Sequence, residues 1–295
     1  SYMENVVFPN SNHLYTMLAN CNVVTPLTYP NHGVNYPAEL YQYRSALWQK
    51  YLVESLGDSS IVRYMWEDYG LQFATEQQVS LFPIYQDAIS LATDNQFSLS
   101  DAFDEYALWR YFTGDRSMQN DFFQESHGYC TSTTHNVGET FPLFSNTGGT
   151  YYVELPQGGG NLIISSNDIS DISCKHLTVY PNNQFESSDI SFENNTNYLN
   201  VEPIEDGNQL LIFNTRYNSS MSNQINFTVE AGQNSLLGDL NYDGDINVLD
   251  IVIVVNFALF ISTPNENEFY LADINQDGII NILDVVQIIN IIFNN

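Results

Sequence analysis

Two stretches near the C-terminal end set oxygen-bearing side chains at alternate positions. The first runs through Asp239, Asn241, Asp243, Asp245 and Asn247 to Asp250, and the second through Asp273, Asn275, Asp277, Ile279 and Asn281 to Asp284. At an offset of 34, residues 239–256 and 273–290 are identical at ten of eighteen positions. A duplicated twelve-residue segment of this kind is chemistry for a hard cation: calcium takes roughly six to eight oxygen ligands at about 2.3–2.6 Å. Positions 1, 3 and 5 supply side-chain oxygens on one side of a tight turn. Gly244 and Gly278 at position 6 permit the bend. Position 7 offers a backbone carbonyl, so Asp245 and Ile279 both serve there. Asn247 and Asn281 act at position 9, directly or through water, and Asp250 and Asp284 close each loop at position 12. The expectation is two calcium ions, bound by a module that folds only with them.

Apolar helices are expected to follow the loops, over residues 248–260 and 282–293. An EF-hand closes with Glu at position 12. Asp at position 12 with Asn at position 9, in loops each followed by a single helix, resembles the type I dockerin repeat. That resemblance implies a small all-α module over 236–295, an extracellular setting and a cohesin-like protein partner. Recognition in that family often lies at positions 10 and 11, which here are Val248-Leu249 and Ile282-Leu283. Cellulosomal dockerins carry hydroxyl residues there. The apolar pairs either form a face for another protein or pack within the same chain or complex, the second being preferred.

Elements upstream must carry this tail. Residues 1–128 read as mostly helical, with 3.6-residue apolar periodicity over 37–56, 61–70, 78–93 and from Ser98 or Ser100 to Gly114. After Gly128 the pattern changes to short alternating runs, at 151–155, 161–165, 177–180, 210–213 and 225–229. Gly, Pro, Asn and Asp separate them, which argues for an antiparallel β-sandwich over 140–230. The fold class expected is multidomain α+β: a helical region, a β-sandwich and a tandem loop–helix module. Tyr151, Tyr152, Tyr180 and Tyr198 read as strand core, with sugar stacking the alternative.

The balance of 35 acidic against 7 basic residues, a formal charge of −28, disfavours nucleic acid and anionic membranes as partners. No apolar run approaches the roughly 18 residues needed to span a bilayer. Three cysteines lack metal spacing, and Cys130–Cys174 is the disulfide expected if one forms. The five histidines are scattered and no H-E-x-x-H occurs.

Four stretches resemble a family of secreted bacterial metalloproteases: residues 2–9, 43–48, 61–67 and 103–114, the last reading Phe-Asp-Glu-Tyr-Ala-Leu-Trp-Arg-Tyr-Phe-Thr-Gly. The resemblance implies that the zinc-binding motif lies upstream of Ser1, that zinc is present only with such a segment, and that this is a processed C-terminal portion able to pack against its own cleaved N-terminal part. Glu4, Glu39 and Glu67 read as solvated or capping carboxylates, and Tyr41 or Tyr43 as an oxyanion donor only beside a catalytic half. Two functions follow as expectations: the C-terminal portion of a secreted metalloprotease-like protein with a calcium-dependent docking tail, or a non-enzymatic extracellular assembly protein.

Overall fold

The computed structural model describes residues 13–36, 46–57, 59–75, 79–118, 122–143, 147–157, 160–166, 172–182, 184–192, 195–204, 206–216, 225–231, 237–240, 246–264 and 266–294. Helices occupy His13–Leu18 (α1), Ala46–Leu56 (α2), Ser60–Phe73 (α3), Leu81–Ala92 (α4) and Leu99–Tyr111 (α5). The α4 helix begins at Leu81 and carries Pro83 in its first turn, where a missing N–H costs nothing. The α3 helix runs past Gly70, expected as its end, to Phe73, where the Ala74 amide turns back onto the Gly70 and Gln72 carbonyls. Ser98 opens α5 through a capping box: its hydroxyl accepts the Asp101 amide at 3.1 Å, and Asp101 accepts the Ser98 amide at 2.8 Å.

The α5 segment is the architectural centre, which explains the residue types in 103–114. Trp48, Tyr51, Phe103 and Tyr106 pack ring against ring in the core. Glu105 accepts from Tyr51 at 3.0 Å, Ser55 at 2.9 Å and Trp109 at 3.2 Å. Arg110 is 1% exposed and reaches the carbonyls of Pro26, Pro30 and Gly148 and the hydroxyl of Thr150, with its guanidinium over the Tyr106 ring. A buried guanidinium is tolerated because carbonyl dipoles and a π face replace its hydration. Beyond the helix, Gly114 has φ of +60°, and a Cβ there would run into Thr131 Oγ1.

Nine strands are described: β1 His135–Asn136, β2 Thr140–Leu143, β3 Thr150–Glu154, β4 Gly160–Ser166, β5 Ile172–Val179, β6 Phe185–Ile190, β7 Thr196–Val201, β8 Asn208–Thr215 and β9 Ile225–Ala231. They form a five-stranded sheet in the order β1-β3-β8-β5-β6 and a four-stranded sheet in the order β2-β9-β4-β7, antiparallel except for β1 against β3. Tyr151, Val153, Cys174, Leu211 and Phe213 of the first sheet share an apolar cluster with Leu162, Ile164, Val201 and Val229 of the second. The other face of the five-stranded sheet, with Tyr152, Leu177, Leu210 and Ile212, completes the core of the helices. Tyr152 donates its hydroxyl to the Ala107 carbonyl at 2.7 Å. Tyr151 and Tyr152 are 5% and 0% exposed, so neither offers a ring to a sugar.

The disulfide differs from expectation. Cys21 is bonded to Cys130, and Cys174 is a free, buried thiol. Cys174 belongs to the inter-sheet cluster on β5, whereas the Cys130 amide is hydrogen-bonded to the Leu18 carbonyl at the end of α1, which brings Cys21 within reach. A third cluster, including Leu240, Val254, Phe257, Leu271, Ile274, Val285 and Ile288, closes around α6 Val248–Ala258, α7 Glu266–Ala272 and α8 Ile282–Asn294. The α7 helix was not legible in the periodicity: it is one short stretch of seven residues, and it gives the second loop a preceding helix. No helix among the described residues is long and apolar enough to cross a membrane.

Candidate metal centre

The second loop is described throughout. Asp273, 6% exposed, takes the Asp277 amide on Oδ1 at 3.1 Å and the Gly278 amide on Oδ2 at 2.8 Å. Asn275 accepts the Asp277 amide at 2.9 Å and donates its own side-chain amide to Asp277 at 2.9 Å. Asp277 in turn accepts the Ile279 amide at 2.9 Å. The chain bends through Gln276 (φ +57°) and Gly278 (φ +82°), a curl that draws successive oxygens to one side.

Each loop ends by capping its own helix. Asn281 accepts the Leu283 amide at 2.8 Å and Asn247 accepts the Leu249 amide at 2.8 Å, which makes position 9 the N-cap. Asp284 and Asp250, both 0% exposed, stand three residues later and accept the Asn281 and Asn247 amides, each at 2.9 Å. Their other oxygens reach back to the loop entrance, Asp284 to the Asn275 amide at 3.3 Å and Asp250 to the Leu240 amide at 2.7 Å. The Asn-x-x-Asp spacing is therefore a capping box as well as a ligand pattern. Sequence reasoning assigned Asn247 and Asn281 to the ion alone and missed the cap. Asp239 is 0% exposed at the start of the first loop, and Asn241, Asp243, Gly244 and Asp245 lie outside the described residues.

The donor set fits calcium. All its atoms are oxygens, from carboxylates, Asn amides and main-chain carbonyls, as a hard cation requires. Charge points the same way. Residues 236–295 hold nine Asp and Glu and no Lys, Arg or His, so cations from solution must offset this excess. Four of the nine, Asp239, Asp250, Asp273 and Asp284, are buried. Burying carboxylates without compensating charge is costly. Among the described residues, no group of three or more His, Cys, Asp and Glu side chains is drawn together as a compact metal cluster. Along the loop the carboxylates alternate in sequence with Asn and main-chain carbonyl donors.

The residues at positions 10 and 11 correct the within-chain half of one expectation. Val248, Leu249, Ile282 and Leu283 are 66%, 57%, 66% and 56% exposed, so they do not pack inside the chain. Each pair sits in the first turn of its helix with the capping Asn behind it, and the inward positions are taken by Val254, Phe257, Val285 and Ile288. Val252 and Val286, one turn further on, are also exposed and extend the apolar surface.

Residues 237–293 match the family model of the dockerin type I domain. No curated protein matches the chain. The C-terminal module is thus a dockerin module, a calcium-dependent docking unit.

Proposed function

We propose that the chain is a secreted protein whose dockerin module, loaded with two calcium ions, attaches a helical and β-sandwich body to an extracellular partner. In this reading residues 1–128, 140–230 and 236–295 are the helical, sandwich and docking parts. Each ion is held by positions 1, 3, 5, 7, 9 and 12 of its loop. When bound, the ions neutralise the loop carboxylates. The chain's own part is to aim the first turns of α6 and α8 outward. The exposed Val248-Leu249 and Ile282-Leu283 pairs then bury against a cohesin-like domain. The observation that carries the reading is the excess of nine carboxylates over no cations in a module whose closing aspartates are buried. Circular dichroism and melting of the full chain with calcium and with EDTA test it. Equal melting curves would reject calcium dependence.

Residues 103–114, which resemble a metalloprotease segment, have an architectural role in this fold. Arg110, Glu105 and Tyr106 are engaged in packing and hydrogen bonds within the core. We infer a protease-like body serving as scaffold, with zinc and hydrolysis belonging only to a segment carrying H-E-x-x-H. A non-enzymatic assembly protein is the competing reading, favoured by the apolar surface on the docking module. Native mass measurement separates the two: stable complexes held by the module support assembly.

A further inference from the structure

A cleft opens where α5 leaves the five-stranded sheet. One stripe of the helix, Asp101, Asp104, Glu105 and Leu108, faces the start of β5 and the end of β6, and the cleft holds about 660 Å³. That volume lies within the roughly 300–1,000 Å³ of small-molecule sites. The floor is the same sheet face that forms apolar core further along. Leu177 is buried under the helices, with Ser187 opposite it on β6, but two and four residues earlier on that face come Lys175, opposite Asp189, and Ser173. Both walls thus change from apolar to polar at the same level, and a space remains between them.

The hydrogen bonds show which groups are already engaged. Glu105 is held by Tyr51, Ser55 and Trp109, and Asp101 by the cap of α5. Lys175 is paired with Asp189. Asp104 uses only Oδ1, which accepts from Ser173 and from Asn214 at 2.9 Å, leaving Oδ2 without a described donor. Arg216, at the exit of β8, lines the cleft, and its charge acts on Asp104. A carboxylate with one oxygen that has no donor among the described residues and an exposed guanidinium therefore line the same cleft. Phe97, Leu108, Ile172 and Phe192 supply apolar wall. Arg216 is one of only seven basic residues in a chain of net charge −28, whose field disfavours a purely anionic ligand.

The geometry points to a binding site for a small zwitterion of the α-amino-acid type, its ammonium on Asp104, its carboxylate on Arg216 and an apolar side chain against Phe97 and Phe192. A bidentate guanidinium–carboxylate contact and a charge-assisted ammonium–carboxylate contact are the strong, directional pairs such a ligand needs. A purely cationic ligand leaves Arg216 unmatched beside it.

Isothermal titration of the full chain with L-leucine, L-phenylalanine and, as a neutral probe, maltose tests the assignment. Saturable binding of the apolar amino acids is expected, weakened about tenfold or more by Asp104→Asn and by Arg216→Gln. Arg216 is exposed, so its substitution leaves the fold intact and keeps the test decisive should Asp104→Asn prove unstable. No amino-acid binding at millimolar concentration, equal or tighter binding of maltose, or amino-acid binding indifferent to Arg216→Gln would overturn it.

Discussion

Asp284 reaches back across its loop to Asn275, accepting the amide of the third loop residue at 3.3 Å while its other oxygen caps the following helix. One buried carboxylate therefore couples loop curvature to helix initiation. Calcium, by offsetting that carboxylate's charge, should stabilise both at once. Chelation is expected to remove the helical signal of α6 and α8 in far-UV circular dichroism, leaving that of α2–α5. Free calcium at 100 times its dissociation constant adds about 2.7 kcal/mol to the module's stability. A two-step melt in EDTA that merges or shifts upward in calcium is the expected record.

Removing the closing carboxylate breaks two functions together. Asp250→Ala or Asp284→Ala strands two backbone amides each, a cost of about 1–3 kcal/mol apiece where they are buried. Each variant is expected to lose one of two calcium-binding events in isothermal titration. Asn247→Ala and Asn281→Ala remove the cap, about 1 kcal/mol, together with one neutral position-9 ligand that water can replace, and should retain both events with weakened affinity.

Much of this site was legible because its signal is local. Residues Asp273 to Asp284 fall within one turn and one capping box, so spacing alone reports their geometry. The strands at 151–155 and 210–213 were legible for the same reason: apolar runs bounded by Gly and Asn. The edge strand β6, Phe185–Ile190, was not, because its sequence Phe-Glu-Ser-Ser-Asp-Ile is polar on the face that meets the cleft. The disulfide was hidden because Cys21 and Cys130 are 109 residues apart and meet only through the packing of α1. The cleft beside Asp104 joins residues from α5, β5, β6 and β8, a juxtaposition that no local pattern encodes.

The apolar pairs at the helix starts are exposed, so little of the module's folding rests on them. Changing Val248, Leu249, Ile282 and Leu283 to Ser is expected to alter stability by within about 0.5 kcal/mol per site, as for other surface substitutions. Calcium titration should be unchanged, while binding of a hydrophobic dye falls. A large drop in melting temperature would instead show these side chains buried.

The cysteines separate cleanly by reactivity. Closing a loop of about a hundred residues is worth roughly 4–5 kcal/mol in the chain-entropy account, so reduction of Cys21–Cys130 or a Cys21→Ser substitution should lower the denaturation midpoint strongly. Burial pushes the Cys174 thiol well above its ordinary range and removes it from solvent. Thiol reagents should label it only after unfolding. Cys174→Ser should leave the disulfide intact.

Asp104 gives the body a pH dependence of unusual sign. Burial raises its pKa above the ordinary 3.8, while hydrogen bonds from Ser173 and Asn214 and the charges of Lys175 and Arg216 oppose the shift only in part. Asp101 and Glu105 on its own helix and Asp189 across the cleft are the other carboxylates facing this space. A carboxyl raised on folding binds more protons in the native state, so its contribution is full below pH 3.8 and is lost as pH rises through the folded value. Most native carboxylates behave in the opposite way. Asp104→Asn keeps an oxygen for Ser173 and Asn214 and removes the charge. Urea denaturation of the variant and the parent at a series of pH values from 3 upward checks this. The variant is expected to gain stability relative to the parent as pH rises, and a gain confined to the lowest pH would contradict it.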